Sequence, residues 1–191
     1  MPSRLAAKLL KTQINLPLIL TLAILPDLDL LMPFLKHRGP THSLVVMLVA
    51  SIPFFAIYRH KAMPYLVAAV QHSLVGDYIA GQVQLLWPLQ TYFGINIRIT
   101  DPINIAIEIA FFLAAIATMF ATDDVKRPFK PHKSSLILII PVATVLLPPL
   151  LAFPMEVPIL LILPHIVFLI LFLISILAYV LHPLWAGAQG Q

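Results

Sequence analysis

The chain contains no cysteine, so neither a disulfide framework nor a thiolate metal site is open to it, and any metal it holds must be bound by nitrogen and oxygen. Charge is nearly as scarce: Asp, Glu, Lys and Arg make up 10% of the residues, against about 25% in soluble domains. The net charge of +4 is small and its basic residues are scattered through short stretches, which excludes a nucleic-acid surface and suits topology signals. A small-x-small cleavage pattern is also missing after the basic start at Arg4, Lys8 and Lys11, so the first apolar run reads as a retained membrane segment and not as a secretory signal. What fills the chain instead is apolar. Hydrophobic residues account for 60% of it, and the mean hydropathy is +0.96. These values specify an integral membrane protein.

Six apolar segments stand out, at 14–35, 42–58, 63–80, 101–121, 134–153 and 157–181. Each is near the roughly 20 residues that a helix needs to cross the hydrocarbon core, the second and third being short. The runs are uniformly apolar and do not alternate, so helices and not barrel strands satisfy their backbone in lipid. The expected fold is an all-α polytopic bundle of six kinked or broken spans. Breaks are expected because the chain has 18 prolines, several inside the segments, each removing a backbone donor. Three regions follow: a motif-bearing membrane half at 1–121, a charged loop at 122–133, and an apolar helical hairpin with a tail at 134–191. With six spans, nine Lys and Arg residues (Arg4, Lys8, Lys11, Arg59, Lys61, Lys126, Arg127, Lys130, Lys133) fall on one side and three (Lys36, Arg38, Arg98) on the other. That split places both termini in the cytoplasm of a cell-membrane protein, with residues 27–42 toward the outer face.

Against this background the stretch from Pro26 to Ser43 is anomalous. It carries Asp27, Asp29, His37, Arg38, Thr41 and His42, although unpartnered charge at membrane depth costs several kcal/mol. A second packet, His72 and Asp77, interrupts the third segment. Two positions apart on a helix means about 200° of rotation, and five apart leaves about 140°, so neither the Asp27/Asp29 nor the His72/Asp77 pair shares a face of a straight helix. Irregular backbone is expected at both places, open after Pro26 so that both oxygens turn inward, and bulged or broken near Gly76. Asp29 has an alternative role as a helix cap. Gly39 permits a tight turn, and Pro40 suits the first turn of a helix from which His42 would project. Arg38 can pair with a carboxylate or clamp a phosphate oxygen, and Thr41 and Ser43 can bond the amides at the helix start. For His72 and Asp77 the bland alternative is a buried hydrogen bond without metal.

Three imidazoles (His37, His42, His72) and three carboxylates (Asp27, Asp29, Asp77) suffice for two metals, or for one metal with carboxylates orienting its histidines. Nitrogen and oxygen donors suit zinc first, with manganese or iron also acceptable. The motifs Pro-Asp-x-Asp at 26–29 and His-Arg-Gly-x-Thr-His-Ser at 37–43, the His72/Asp77 pair and Leu-Leu-Trp-Pro at 85–88 resemble the membrane-bound metal-dependent hydrolase family. A weaker likeness, in the order Pro-Asp, His, His, Asp, points toward zinc-dependent phospholipase C. The resemblance covers residues 14–90 and implies roles for Asp27, Asp29, His37, His42, His72 and Asp77. In many relatives the late pair is His-x-x-x-Asp, whereas this chain has one more residue between them.

The expected activity is hydrolysis of a phosphoester or ester in a lipid or lipid-linked substrate by metal-bound hydroxide. Arg38 would hold the phosphate and a carboxylate or His would act as general base or acid, the candidate catalytic residues being Arg38, Asp29 and Thr41. Trp87 would anchor at the interface or line the substrate entrance. Two other classes compete: a divalent-metal or proton transporter, extended by Asn104 and Glu108, and a non-enzymatic structural protein of the membrane.

Overall fold

The computed structural model describes residues 2–32, 34–150 and 157–188. It is all-helical; among the described residues the only extended pairing is one isolated bridge between Val83 and Phe93. The chain opens with a short basic helix, α1 (Pro2–Leu9), whose buried Ser3 and Ala7 face α4. Helix α2 (Leu16–Ile24) starts where Asn15 Oδ1 accepts the Leu18 amide at 3.2 Å and Pro17 occupies the first turn, a combination suited to a helix start. It lasts 9 residues before Pro26 turns the chain into a 3-10 segment, Leu25–Leu31.

After a second 3-10 turn at Pro40–His42, Ser43 caps α3 (Leu44–Tyr58). Arg59, at φ +52°, ends that helix, and α4 (Met63–Gln71) runs back alongside it. The α4 axis continues through a π segment, His72–Asp77, into α5 (Tyr78–Ala80). A long loop leads to α6 (Pro102–Ala121), capped by Asp101 through the Ile103 amide at 2.9 Å. Two 3-10 segments, Asp124–Phe129 and Lys133–Leu138, precede α7 (Ile139–Leu150) and α8 (Ile159–Ala188). Small and medium side chains let α1, α2 and α4 approach: Ala7, Ile14, Ile19 and Ala68 form one buried cluster, with Leu22 and Tyr65 packed on it.

Among the described residues, three helical stretches are long and apolar enough to cross a membrane: Leu44–Ala80, Pro102–Ala121 and Ile159–Pro183. That is the signature of a membrane protein, with fewer candidate spans than the six apolar runs suggest. The first run departs from expectation because its α-helical part, at 9 residues, reaches only about 14 Å, half of the hydrocarbon core. The second and third runs form the hairpin of α3 with α4. The fifth begins in 3-10 backbone, and the connection at 151–156 and the tail at 189–191 lie outside the described residues. This topology puts 25–43 and the π segment at one end of α3 and α4, while Arg59 and Lys61 lie at the other.

Candidate metal centre

Irregular backbone occurs at both anticipated places, and in each it determines where a side chain points. A π segment hydrogen-bonds from i to i+5, which stacks residues five apart. His72 and Asp77 are its first and last residues, and His72 Nε2 lies 3.2 Å from Asp77 Oδ2. The 3-10 backbone after Pro26 does something different from what the spacing suggested. Asp27 and Asp29 do not turn to one point; they take opposite edges of the His42 ring. Asp27 Oδ1 is 3.3 Å from His42 Nε2, and Asp29 Oδ2 is 3.2 Å from His42 Nδ1. The reason is that residues two apart in a helical turn project to different sides, and the chain passes the ring between them.

Four atoms therefore meet: His42 Nε2, His72 Nε2, Asp27 Oδ1 and Asp77 Oδ2. Around this quartet nitrogen and oxygen alternate at 3.3, 3.2, 3.2 and 3.2 Å. Three of the atoms, His42 Nε2, His72 Nε2 and Asp77 Oδ2, are buried and make no hydrogen bond, although His72 Nε2 and Asp77 Oδ2 stand at ion-pair distance. A buried polar atom left without a partner costs about 1–3 kcal/mol. Three of them aimed at one place suit a cation as their common partner. The four nitrogen–oxygen separations are close to the roughly 3.3 Å between neighbouring ligand atoms of a tetrahedral zinc ion. His42, His72 and Asp77 form one group that could hold a metal ion, and Asp27, Asp29, His37 and His42 form another.

Behind the quartet, Asp29 is wholly occupied. Its Oδ2 accepts from Thr41 Oγ1 at 2.9 Å and from the Arg38 amide at 3.1 Å, and its Oδ1 lies 3.0 Å from His37 Nδ1. Because Thr41 donates to Asp29, its oxygen can accept the His42 Nδ1 proton at 3.0 Å, which leaves the Nε2 lone pair directed at the quartet. His42 lies ahead of the first candidate span. Burial alone would push its imidazole down, but the carboxylates of Asp27, Asp29 and Asp77 outweigh burial and raise it to about 11. That concentration of carboxylate around one ring favours positive charge at this place.

The structure thus brings all six candidate ligands into one neighbourhood and divides them. Asp27, His42, His72 and Asp77 contribute to the quartet. Asp29 and His37 stand outside it, His37 with 42% of its side chain exposed. Arg38, whose backbone is left-handed at φ +61°, donates from Nε to Asp77 Oδ1 at 3.0 Å and from NH1 to the Ala80 carbonyl at 3.4 Å. Of the two roles expected for it, the pairing with a carboxylate is the one present. Thr41 serves Asp29 and His42 and does not cap α3; Ser43 does, accepting the Val46 amide at 3.5 Å. Gly39 makes the tight turn as expected, since a Cβ there would sit 2.7 Å from the Lys36 carbonyl oxygen.

Two contributions were not visible in the sequence motifs. Gly81 leaves room for the Arg38 guanidinium: a Cβ at this position would come within 1.8 Å of NH1. The loop after it clamps the 38–44 stretch, with Gln84 N bonded to the Arg38 carbonyl at 3.0 Å and the Leu85 carbonyl accepting from Ser43 Oγ and from the Leu44 amide. No local pattern announces either contact, because each joins residues some forty positions apart. The transport path through Asn104 and Glu108 gains no support: Asn104 Nδ2 donates to Glu108 Oε1 at 2.7 Å and to the Ile99 carbonyl, a self-contained bond within the start of α6. Searches of this chain against protein-family models, curated proteins and solved structures find no match.

Proposed function

We propose that this protein is a metal-dependent hydrolase of the membrane, acting on a phosphoester or ester of a lipid or lipid-linked substrate. The observation that carries the reading is the quartet of Asp27, His42, His72 and Asp77, whose nitrogens and oxygens alternate at 3.2–3.3 Å and three of whose atoms are buried and unpartnered. Zinc fits the donor set best. When bound, such an ion supplies acidified water and polarises an acyl or phosphoryl oxygen. The chain's own residues prepare the place. Asp29 and Thr41 fix the tautomer and orientation of His42, and Arg38 holds the far oxygen of Asp77 so that Oδ2 faces inward. Asp27 and His72 are each 22% exposed, so the quartet has one side that a substrate can approach.

Phe34, between Asp29 and His37 in the chain, and Trp87 and Leu89, in the loop after Asp77, are exposed at 80%, 41% and 59%, apolar side chains suited to lipid. Arg59 and Lys61 lie at the end of α3 and α4 opposite the quartet, so the positive-inside rule favours the quartet toward the outer face.

The test is elemental analysis of the purified full chain beside an Asp27→Asn variant, together with phosphate or fatty-acid release from phosphatidate vesicles. One zinc per chain and product release, both lost in the variant, support the reading. Equal metal in both proteins with no product overturns it. Zinc uptake into liposomes without any hydrolysis would favour transport.

A further inference from the structure

At the other end of α2 from Asp27, the first turn of that helix lines a second cavity, of about 440 Å³. Its volume lies within the range of ligand sites, about 300–1,000 Å³, and it is lined as such sites are, apolar in the main with a few polar groups at one side. Leu16 and Leu20 of α2 and Phe168 and Phe172 of α8 line it. Phe168 is fixed edge-on against Phe112, with ring centroids 5.8 Å apart, and Phe172 is itself only 3% exposed, so this wall is rigid. The polar side comes from the connection between α6 and α7: Arg127, Lys130 and His132. No carboxylate lines the cavity. The nearby Asp124 already accepts from Arg4 and from Arg127 Nε, and Lys130 makes no ion pair among the described residues.

A cavity with excess positive charge at one side and a dry aromatic wall matches one chemistry, an anionic head on a hydrocarbon chain. Free phosphate would leave the wall of Leu and Phe exposed to water, and a neutral lipid would leave Lys130 without an anion. We propose that the cavity between α2, α8 and the 124–138 connection binds a phosphate-headed membrane lipid, head at Arg127 and Lys130, chain along Leu20 and Phe172. This site is separate from the quartet and does not depend on the metal reading.

Photo-crosslinking tests it, using the full chain in phosphatidylcholine vesicles with a phosphatidate that carries a diazirine on its acyl chain. Label is expected on peptides containing 14–20 and 168–175. Excess unlabelled phosphatidate should reduce it about tenfold, while inorganic phosphate leaves it unchanged. Lys130→Ala should lower labelling severalfold, and Leu20→Trp, which fills the cavity, should remove it from both peptides. Ile170→Trp, on an exposed position of α8, should leave it intact. Label spread evenly over exposed positions such as Ile159 and Ile170, or equal competition by phosphatidylcholine, would overturn the proposal. If Leu20→Trp fails to fold, the competition series and Lys130→Ala decide the matter.

Discussion

Asp124 and Asp77 are both buried carboxylates in an apolar chain, one beyond the end of α6 and the other at the end of the π segment, and their oxygens are treated differently. Asp124 is saturated. Arg4 grips it with Nε at 2.6 Å and with NH2, Arg127 adds Nε at 2.7 Å, and Thr122 donates at 2.8 Å. The donors outnumber the oxygens, and the result joins α1 to the connection after α6. Asp77 has one oxygen satisfied by Arg38, while the other is buried, bare and turned toward two imidazoles in the same condition. A buried charge cluster that satisfies itself is a joint; one that holds several groups back from each other, at even spacing, is a receptacle.

The strongest way to break this contrast is to exchange the fates of the two sites. His42→Ala deletes a quartet nitrogen and should abolish zinc binding and any hydrolysis, measured as metal per chain and product release, while the fold persists by circular dichroism. Asp124→Asn should do the reverse: full metal, but a lower Tm. Removing one partner from a buried ion pair costs about 3–5 kcal/mol. The low end is expected here because Arg4 and Arg127 are 24% and 45% exposed and keep access to water. If Asp124→Asn loses metal as His42→Ala does, the two clusters are not independent and the distinction fails.

A smaller effect belongs to the residues behind the quartet. Asp29→Asn and Thr41→Val leave all four quartet atoms in place but remove the acceptor that orients His42. Groups holding a ligating histidine typically contribute about 10–100-fold to metal affinity, so the zinc Kd should rise by that factor in competition with a chelator. A complete loss of binding in Asp29→Asn would show instead that Asp29 is itself a ligand.

Composition and hydropathy already announced a helical membrane protein, because the cost of burying backbone in lipid leaves few alternatives. The polar packet was equally legible: scarcity makes each Asp or His in such a chain conspicuous, and all six singled out fall into one neighbourhood. What the sequence concealed was the direction of each side chain. The 200° and 140° estimates presuppose α geometry, and the actual backbone is 3-10 at Asp27 and Asp29 and π at His72 to Asp77. Those states are chosen by tertiary packing and not by local propensity, so spacing alone could require a break without giving its form. The first apolar run yields only a short α-helix for a related reason: run length counts apolar residues, whereas a helix must also survive Pro26.

The smallest predicted effect is also the sharpest, because it touches no charged group. Gly81 has no ligating atom and lies outside every motif, yet a methyl placed on it would overlap the Arg38 guanidinium. The guanidinium is the mobile end of a long side chain and can move aside at little cost to folding, so the Tm of Gly81→Ala should stay close to that of the parent. Moving aside means leaving Asp77 Oδ1 and the Ala80 carbonyl, which frees the carboxylate to rotate and blurs the position of Oδ2 in the quartet. Zinc affinity should fall about tenfold, at the low end of the effect of groups that orient a metal ligand. Arg38→Ala should show the same loss of affinity, and adding Gly81→Ala to Arg38→Ala should change affinity no further, since the two substitutions act through one contact. Additive losses in the double variant would separate Gly81 from Arg38 and leave the orientation of Asp77 to some other group.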